Sequence, residues 1–371
     1  MMKKGILAIV ACAALAVSLM VPAFAFAEVK IDDTVINQGE NAVGGGTATL
    51  TETVLDMVNV VVDKGGLETD QDLNINFNGG NELEWVAATG SAKVTANFCG
   101  ENSIDEFATV DNASMTINAN GQADLEEVHA YDDSNIVINV TGENNFEEII
   151  GYDNANIAIR GTDCQKKDIV NVEDHELALL VAENGNLTID HVTVNLKGSE
   201  DNVFGSIGGD VLVDTSKIAG KDGAWTALLA GKTMRISESV IETVDEVRST
   251  GLMTIEHSDV KASKPKTEQT IPPYRVFSYT GIKLIDEKNG EVKEGEYDGD
   301  KVWYVDTDDN DGEDVDLKAD GEPAYYRCNS KESLPKGMPK TADASSPLWP
   351  MLAGIACITM AAYSTRRRKE H

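Results

Sequence analysis

The sequence predicts an all-β protein built as a coiled β-solenoid, with rungs of about 21 residues. Three observations predict it. One phrase returns five times: "LNINFNG" from Leu73, "VTANFCG" from Val94, "MTINANG" from Met115, "IVINVTG" from Ile136 and "IAIRG" from Ile157, each starting 21 residues after the last. Within each phrase apolar and polar residues alternate, the two-residue period of a strand with one buried face. Whole columns then run in phase: Leu83, Ile104, Leu125 and Phe146; Val86, Phe107, Val128 and Ile149; Asn76, Asn97, Asn118 and Asn139; Gly79, Gly100, Gly121 and Gly142.

Each feature has a physical reason. One rung cannot bury its own apolar face, whereas rungs stacked at ~4.8 Å bury a continuous core and pair every strand with the one below. Met115 and Ile117 are therefore expected to point inward. Glycine ends each phrase because the corner into the next strand favours a positive φ. The asparagine column reads as structure, since amides stacked at a bend hydrogen-bond from rung to rung. After Ile159 the period loosens, but the phrase persists at Leu187, Val211, Met234 and Met253 as a strand, a tight polar bend and a second strand. Gly44–Gly66 supplies the first rung or the N-terminal cap, and Gly161–Glu176 reads as an insertion that forms a side loop.

From Leu73 to Ala262 this pattern resembles the right-handed parallel β-helix of the pectate-lyase-like class. Four segments are expected: a signal peptide at 1–27, the β-helix with its cap at 28–262, a small acidic β module at 263–328, and a tail at 329–371. The Pro-rich stretch Lys261–Tyr274 ends the solenoid. Beyond it, "GIKLIDEKNGEVKEG" reads as a hairpin around Asn289-Gly290.

The two ends concern location. Lys3 and Lys4, an apolar run, and the small residues Ala25 and Ala27 form an export signal cut after Ala27. At the far end stand a short motif, an apolar run from Leu348 to Tyr363 expected to be helical, and the basic cluster Arg366–Lys369. The run is shorter than the ~20 residues that span a membrane comfortably. A membrane anchor or a retention signal both fit that layout. The three parts resemble the sorting signal of Gram-positive wall-anchored surface proteins, with Met338, Pro339, Lys340, Thr341 and Ala342 on the Leu-Pro-x-Thr-Gly motif. Met338 and Ala342 stand where that motif has leucine and glycine. The resemblance implies that a sortase attacks the Thr341 carbonyl and passes the chain to peptidoglycan, leaving it on the cell wall. The membrane is met only through the C-terminal segment before processing.

Composition narrows the function. Removing both processed ends takes two acidic and six basic residues from 63 and 31, leaving a charge near −36. Such a surface repels nucleic acid and anionic lipid heads. Three cysteines remain, an odd number that argues against a disulfide framework, although a Cys99–Cys164 pair is conceivable.

Candidate chemistry is sparse. Asp111, Asp132 and Asp153 stack at a bend before successive strands, where they are either Ca²⁺ ligands or ordinary turn residues. Asp306, Asp308, Asn310 and Gly312 make a second acidic loop, off the calcium-loop spacing. Tyr131 and Tyr152 form a sugar-stacking platform if they face outward and core if they face inward. His129, His175, His191 and His257 are scattered and read as surface or loop residues. β-Helix enzymes that cleave acidic polysaccharides use carboxylate-bound calcium with an Arg or Lys base, or paired aspartates. Arg160 is the one basic residue near the Asp column in the repeat's polar strand columns. The expected protein is a non-catalytic, adhesin-like or carbohydrate-binding surface module that needs no cofactor beyond a possible Ca²⁺ and binds an extracellular glycan. The alternative is a calcium-assisted polysaccharide lyase or hydrolase.

Overall fold

A computed structural model describes residues 29–329 apart from 33, 122, 162–167, 175–176, 200, 222–224, 264–272 and 309–310. The export signal, the sorting motif Met338–Ala342 and the C-terminal apolar segment lie outside the described residues. No helix among the described residues is long and apolar enough to cross a membrane.

The chain is all-β, a parallel β-solenoid of about nine turns. Its strands stack into three sheets of 14, 13 and 8 strands. The repeated phrase is the second sheet: Leu73–Asn78, Lys93–Cys99, Ser114–Ala119 and Asn135–Val140 pair parallel and in register, so Leu73, Val94, Met115 and Ile136 are direct neighbours. The 21-residue spacing is thus one turn of the coil. The period loosens because a third strand enters each turn. The third sheet begins with Glu143–Phe146 and Ile169–Val172, which places the first strand of the expected insertion inside the solenoid.

Inward residues make one continuous core. Phe77, Phe107, Met115, Ile117, Ile138 and Ile159 are fully buried. Phe77 and Phe98 stack with centroids 5.1 Å apart, and Phe107 meets Phe98 edge-on. Gly79, Gly100, Gly121 and Gly142 all take positive φ. At Gly121 a Cβ would also lie 2.6 Å from the Glu143 carbonyl oxygen, so the corner has no room for a side chain.

The asparagine column is a hydrogen-bonded ladder. Asn139 Nδ2 donates to Asn118 Oδ1 (2.8 Å), Asn118 to Asn97 (2.7 Å), Asn97 to Asn76 (3.2 Å), and Asn76 to Asp56 (2.7 Å). It differs from expectation in one respect: these residues sit within the strands, half-buried on the outer face, and not at the bend. Two further ladders line buried corners. Asn81 Nδ2 donates to Asn102 Oδ1 at 2.8 Å. The hydroxyls of Ser216, Ser239 and Ser258 accept N–H bonds from Val192, Ser216 and Ser239, one rung earlier.

Both ends are capped by reversing strand direction. At the N-terminus Gly39–Val43, Gly46–Thr51 and Val54–Val58 form an antiparallel meander, and Val54–Val58 then pairs parallel with Leu73–Asn78. The segment Gly44–Gly66 thus supplies both cap and first rung. At the C-terminus three expectations change. The solenoid does not end at the Pro-rich stretch, because Val276–Ser278 and Ile282–Ile285 continue it in parallel. The strands of 263–328 do not stand apart as a module. Asp300–Asp306 adds antiparallel to the first sheet and Val315–Ala319 to the third. The hairpin lies between Glu291–Tyr297 and Asp300–Asp306. Asp298 and Gly299 both take positive φ there, as a tight hairpin turn demands, whereas Asn289 bonds across to the backbone of Asp316 and Lys318.

Asn118→Ala removes two ladder bonds and should cost about 2 kcal/mol in chemical denaturation. Thr116→Ala, one position along the same half-exposed face, should change stability by less than about 0.5 kcal/mol; equal effects would mean the ladder carries no stability.

Candidate functional site on the outer face of the first sheet

In a solenoid every second side chain of a strand points away from the core, so a sheet's outer face is a grid set by register. On the first sheet, Asn102–Thr109, Ala123–Ala130 and Glu148–Gly151 align Glu106 with Glu127 and Glu148, and Ala108 with His129 and Ile150. The residues between them, Phe107, Val128 and Ile149, are fully buried inside. Three glutamates directly opposite on neighbouring strands repel one another. Their neighbours add to the repulsion: Glu127 sits above the ordinary carboxylate range through burial and the charges of Glu148, Glu106 and Glu147, with His129 opposing.

His129 is the counter-charge. Its Nδ1 lies 2.8 Å from Glu106 and its Nε2 2.9 Å from Glu148, so one ring bridges the rungs below and above its own. The side chain is 3% exposed. Facing a carboxylate with each nitrogen, the ring is satisfied as a doubly protonated imidazolium. Burial alone would lower its pKa, but the hydrogen bonds and charges of Glu106 and Glu148 outweigh burial and raise it to about 9.

Tyr131 and Tyr152 sit against this ring. They point outward, belonging to a second apolar cluster outside the main core. Neither is free to stack on a sugar with both faces, because they stack on each other, centroids 4.9 Å apart and planes 7° from parallel. Tyr152 is buried and Tyr131 half-buried. Burial, the first cause, and the surrounding glutamates push both phenols up. The second cluster runs on across the sheet through Ile150, Leu179, Val181, Val203 and Leu229. It ends at a buried charged group. Arg248 lies 3.1 Å from the fully buried Glu246, Arg275 donates to the Asp245 carbonyl at 3.2 Å, and burial lifts the Asp245 carboxyl to about 6.

The aspartate column is present, one residue per rung. Asp111, Asp132 and Asp153 all adopt the left-handed conformation, which aspartate tolerates in turns. Two of the carboxylates face backbone donors, Asp111 accepting from Gly90 N–H at 3.3 Å and Asp132 from Asp111 N–H at 3.1 Å, while the Asp153 N–H donates to Glu183 at 3.0 Å. The second acidic loop has a cation already, since Lys293 pairs with Asp306. Burial would raise Asp306, but Lys293 and the backbone N–H groups of Asp308 and Gly312 hold its carboxyl below the usual range; Asn310 lies outside the described residues. The ligand-like atoms of Glu127, His129 and Glu148 all lie within 4.8 Å of one another. That mixed nitrogen and oxygen set suits zinc better than calcium, and an ion there would have to displace the proton that His129 holds.

The expectation for His129 as a surface or loop residue is corrected by its burial. His191 and His257 do occupy left-handed turn positions, and His175 lies outside the described residues. The signal for the clamp was in the sequence: Glu106, Glu127 and Glu148 keep the 21-residue spacing, with a lone histidine two residues after the middle one. Arg160 lies on the other sheet, in register with Asn139. Cys99 is disulfide-bonded.

No protein family, no curated protein and no solved structure matches the chain.

The clamp makes stability depend on pH. His129 gains its partners on folding, so its folded pKa lies above its ordinary 6.5. Its contribution, roughly 3 kcal/mol from a shift of that size, is complete below pH 6.5 and is lost as pH rises through 9. Denaturation between pH 6.5 and 10 should show that loss in the native chain and not in His129→Gln; parallel curves would rule the clamp out.

Proposed function

We propose that the protein is a non-catalytic surface module of a Gram-positive cell wall, a right-handed β-helix acting as an adhesin-like or carbohydrate-binding unit. One observation carries the non-catalytic half. The His–carboxylate group of the first sheet's outer face, whose ligand-like atoms converge within 4.8 Å, is occupied with itself, because both nitrogens of His129 are held by carboxylates. A ring in that state offers no lone pair for general-base work. The stacked sheet faces of a capped solenoid suit display and repeated weak contact.

Wall attachment rests on the motif Met338–Ala342, the apolar segment read as a helix, and the basic tail. The disulfide at Cys99 supports an exported, oxidising location. Sortase and peptidoglycan are the expected partners in processing. Calcium, through the Asp111–Asp132–Asp153 column, is the one ion included in this reading.

A polysaccharide lyase or hydrolase is the second reading. The group of Asp245, Glu246, Arg248 and Arg275 favours it, because a carboxyl near pKa 6 beside arginines is a usable acid. Against it, Glu246 and Arg275 are buried beyond the reach of a polymer.

A glycan array with and without calcium should show binding, with no unsaturated oligosaccharide products absorbing in the ultraviolet; such products would favour the lyase. Thr341→Ala should move the protein from the wall fraction to membrane or medium, and an unchanged distribution would remove the sorting assignment.

A further inference from the structure

We infer that the outer face of the second sheet, from Leu73–Asn78 to Asn135–Val140, binds an uncharged, extended β-1,4-linked polysaccharide laid along the solenoid axis. The inference rests on the carbohydrate-binding reading and names its site.

Charge is the first argument. The chain carries a formal charge of −32, yet the two central outward columns of these four strands hold no ionisable side chain. One is the asparagine ladder; the other is Asn74, Thr95 and Thr116, continued by Val137. The neutral strip has definite ends, because Asp56 aligns with Asn76 below and Arg160 with Asn139 above. An acidic polymer approaching it would meet the repulsion of the surrounding carboxylates, whereas a neutral one would not.

Hydrogen-bonding capacity is the second. An asparagine amide has two N–H groups and two oxygen lone pairs. Asn118 gives one N–H to Asn97 and takes one from Asn139. At Asn118 the ladder therefore orients the amide while leaving a second donor and acceptor for a ligand, whereas Asn97 Nδ2 also donates to the Ile75 carbonyl at 3.5 Å; a sugar ring's hydroxyls both donate and accept. The ladder residues are half-buried, so the amides are held rigid and still reachable. Little side-chain entropy remains to be lost on binding.

Period is the third. The strands pair without a register break across all four rungs, so equivalent amides recur at ~4.8 Å along a straight line. An extended β-1,4 chain advances by nearly the same distance per sugar, so consecutive sugars meet equivalent groups. An α-1,4-glucan coils away from such a line. The single contacts are weak, and affinity should come from their number.

The test uses the full exported chain, titrated calorimetrically with cello- and chito-oligosaccharides of two to six sugars and with tetragalacturonate as the acidic probe. Affinity for the neutral series should climb with length until the chain spans the four rungs and then level off, with tetragalacturonate weaker. Thr116→Glu and Thr95→Lys place opposite charges on the strip. Each should weaken the hexasaccharides at least about tenfold with an unchanged melting temperature, because both obstruct the same line. Lys197→Ala, just past the third-sheet strand Thr193–Leu196, should bind as the native chain does. Two folded strip variants with native affinity, or a preference for tetragalacturonate, would overturn the site and leave the carbohydrate reading standing. Absence of binding to every oligosaccharide and to the array would overturn both.

Discussion

Stacking is the constraint on which everything else here depends. A rung of some 21 residues has no interior of its own; its apolar side chains are buried because another rung lies ~4.8 Å above and below. Backbone groups are satisfied by the same neighbours, so core and hydrogen-bond network form together. Inward columns must then stay apolar at every turn, as Ile75, Ala96, Ile117, Ile138 and Ile159 do. The end rungs cannot be satisfied this way. The chain meets that problem by reversing direction, with antiparallel strands closing the first and second sheets at one end and the first and third at the other.

The same stacking decides what polar side chains can do. A column of identical residues meets its own kind at every rung, so only self-complementary groups can stack without help. Asparagine qualifies because its amide donates and accepts, and serine because its hydroxyl accepts one bond while giving another. Glutamate does not qualify, because two carboxylates offer each other only acceptors and like charge. The Glu106–Glu127–Glu148 column therefore needs a cation within reach, and His129 supplies it with both nitrogens. Neutral ladder and acid clamp are two solutions to one geometric demand. They leave the protein with a neutral strip on one sheet and an acidic, aromatic-lined zone on another.

Much of this was legible in the residues. The phrase spacing gave the turn length, the alternation gave the buried faces, and the glycines marked the corners. Asn289-Gly290 misled, because a good turn dipeptide is a local signal and Asp298-Gly299 is an equally good one nine residues on. Which dipeptide makes the hairpin depends on which strands can reach an open sheet edge. The expected module at 263–328 failed for a related reason: a composition shift marks a new segment, but the exposed edges of a solenoid end recruit the next strands available. Tyr131 and Tyr152 could be placed one rung apart by counting, yet their facing required knowing on which side of the sheet the alternation began.

The sequence by itself determined periodicity, because a strand's inward face and a rung's length are written as repeats that any reader can count. Tertiary structure alone decided the cross-rung partners of the odd residues. His129 has no column of its own, and its role exists only because the register sets Glu106 and Glu148 on either side of it. Such a contact joins residues about twenty positions apart through the pitch of the coil: the 21-residue spacing of the glutamates can be counted, but only the folded register shows that the histidine reaches the rungs on both sides of it.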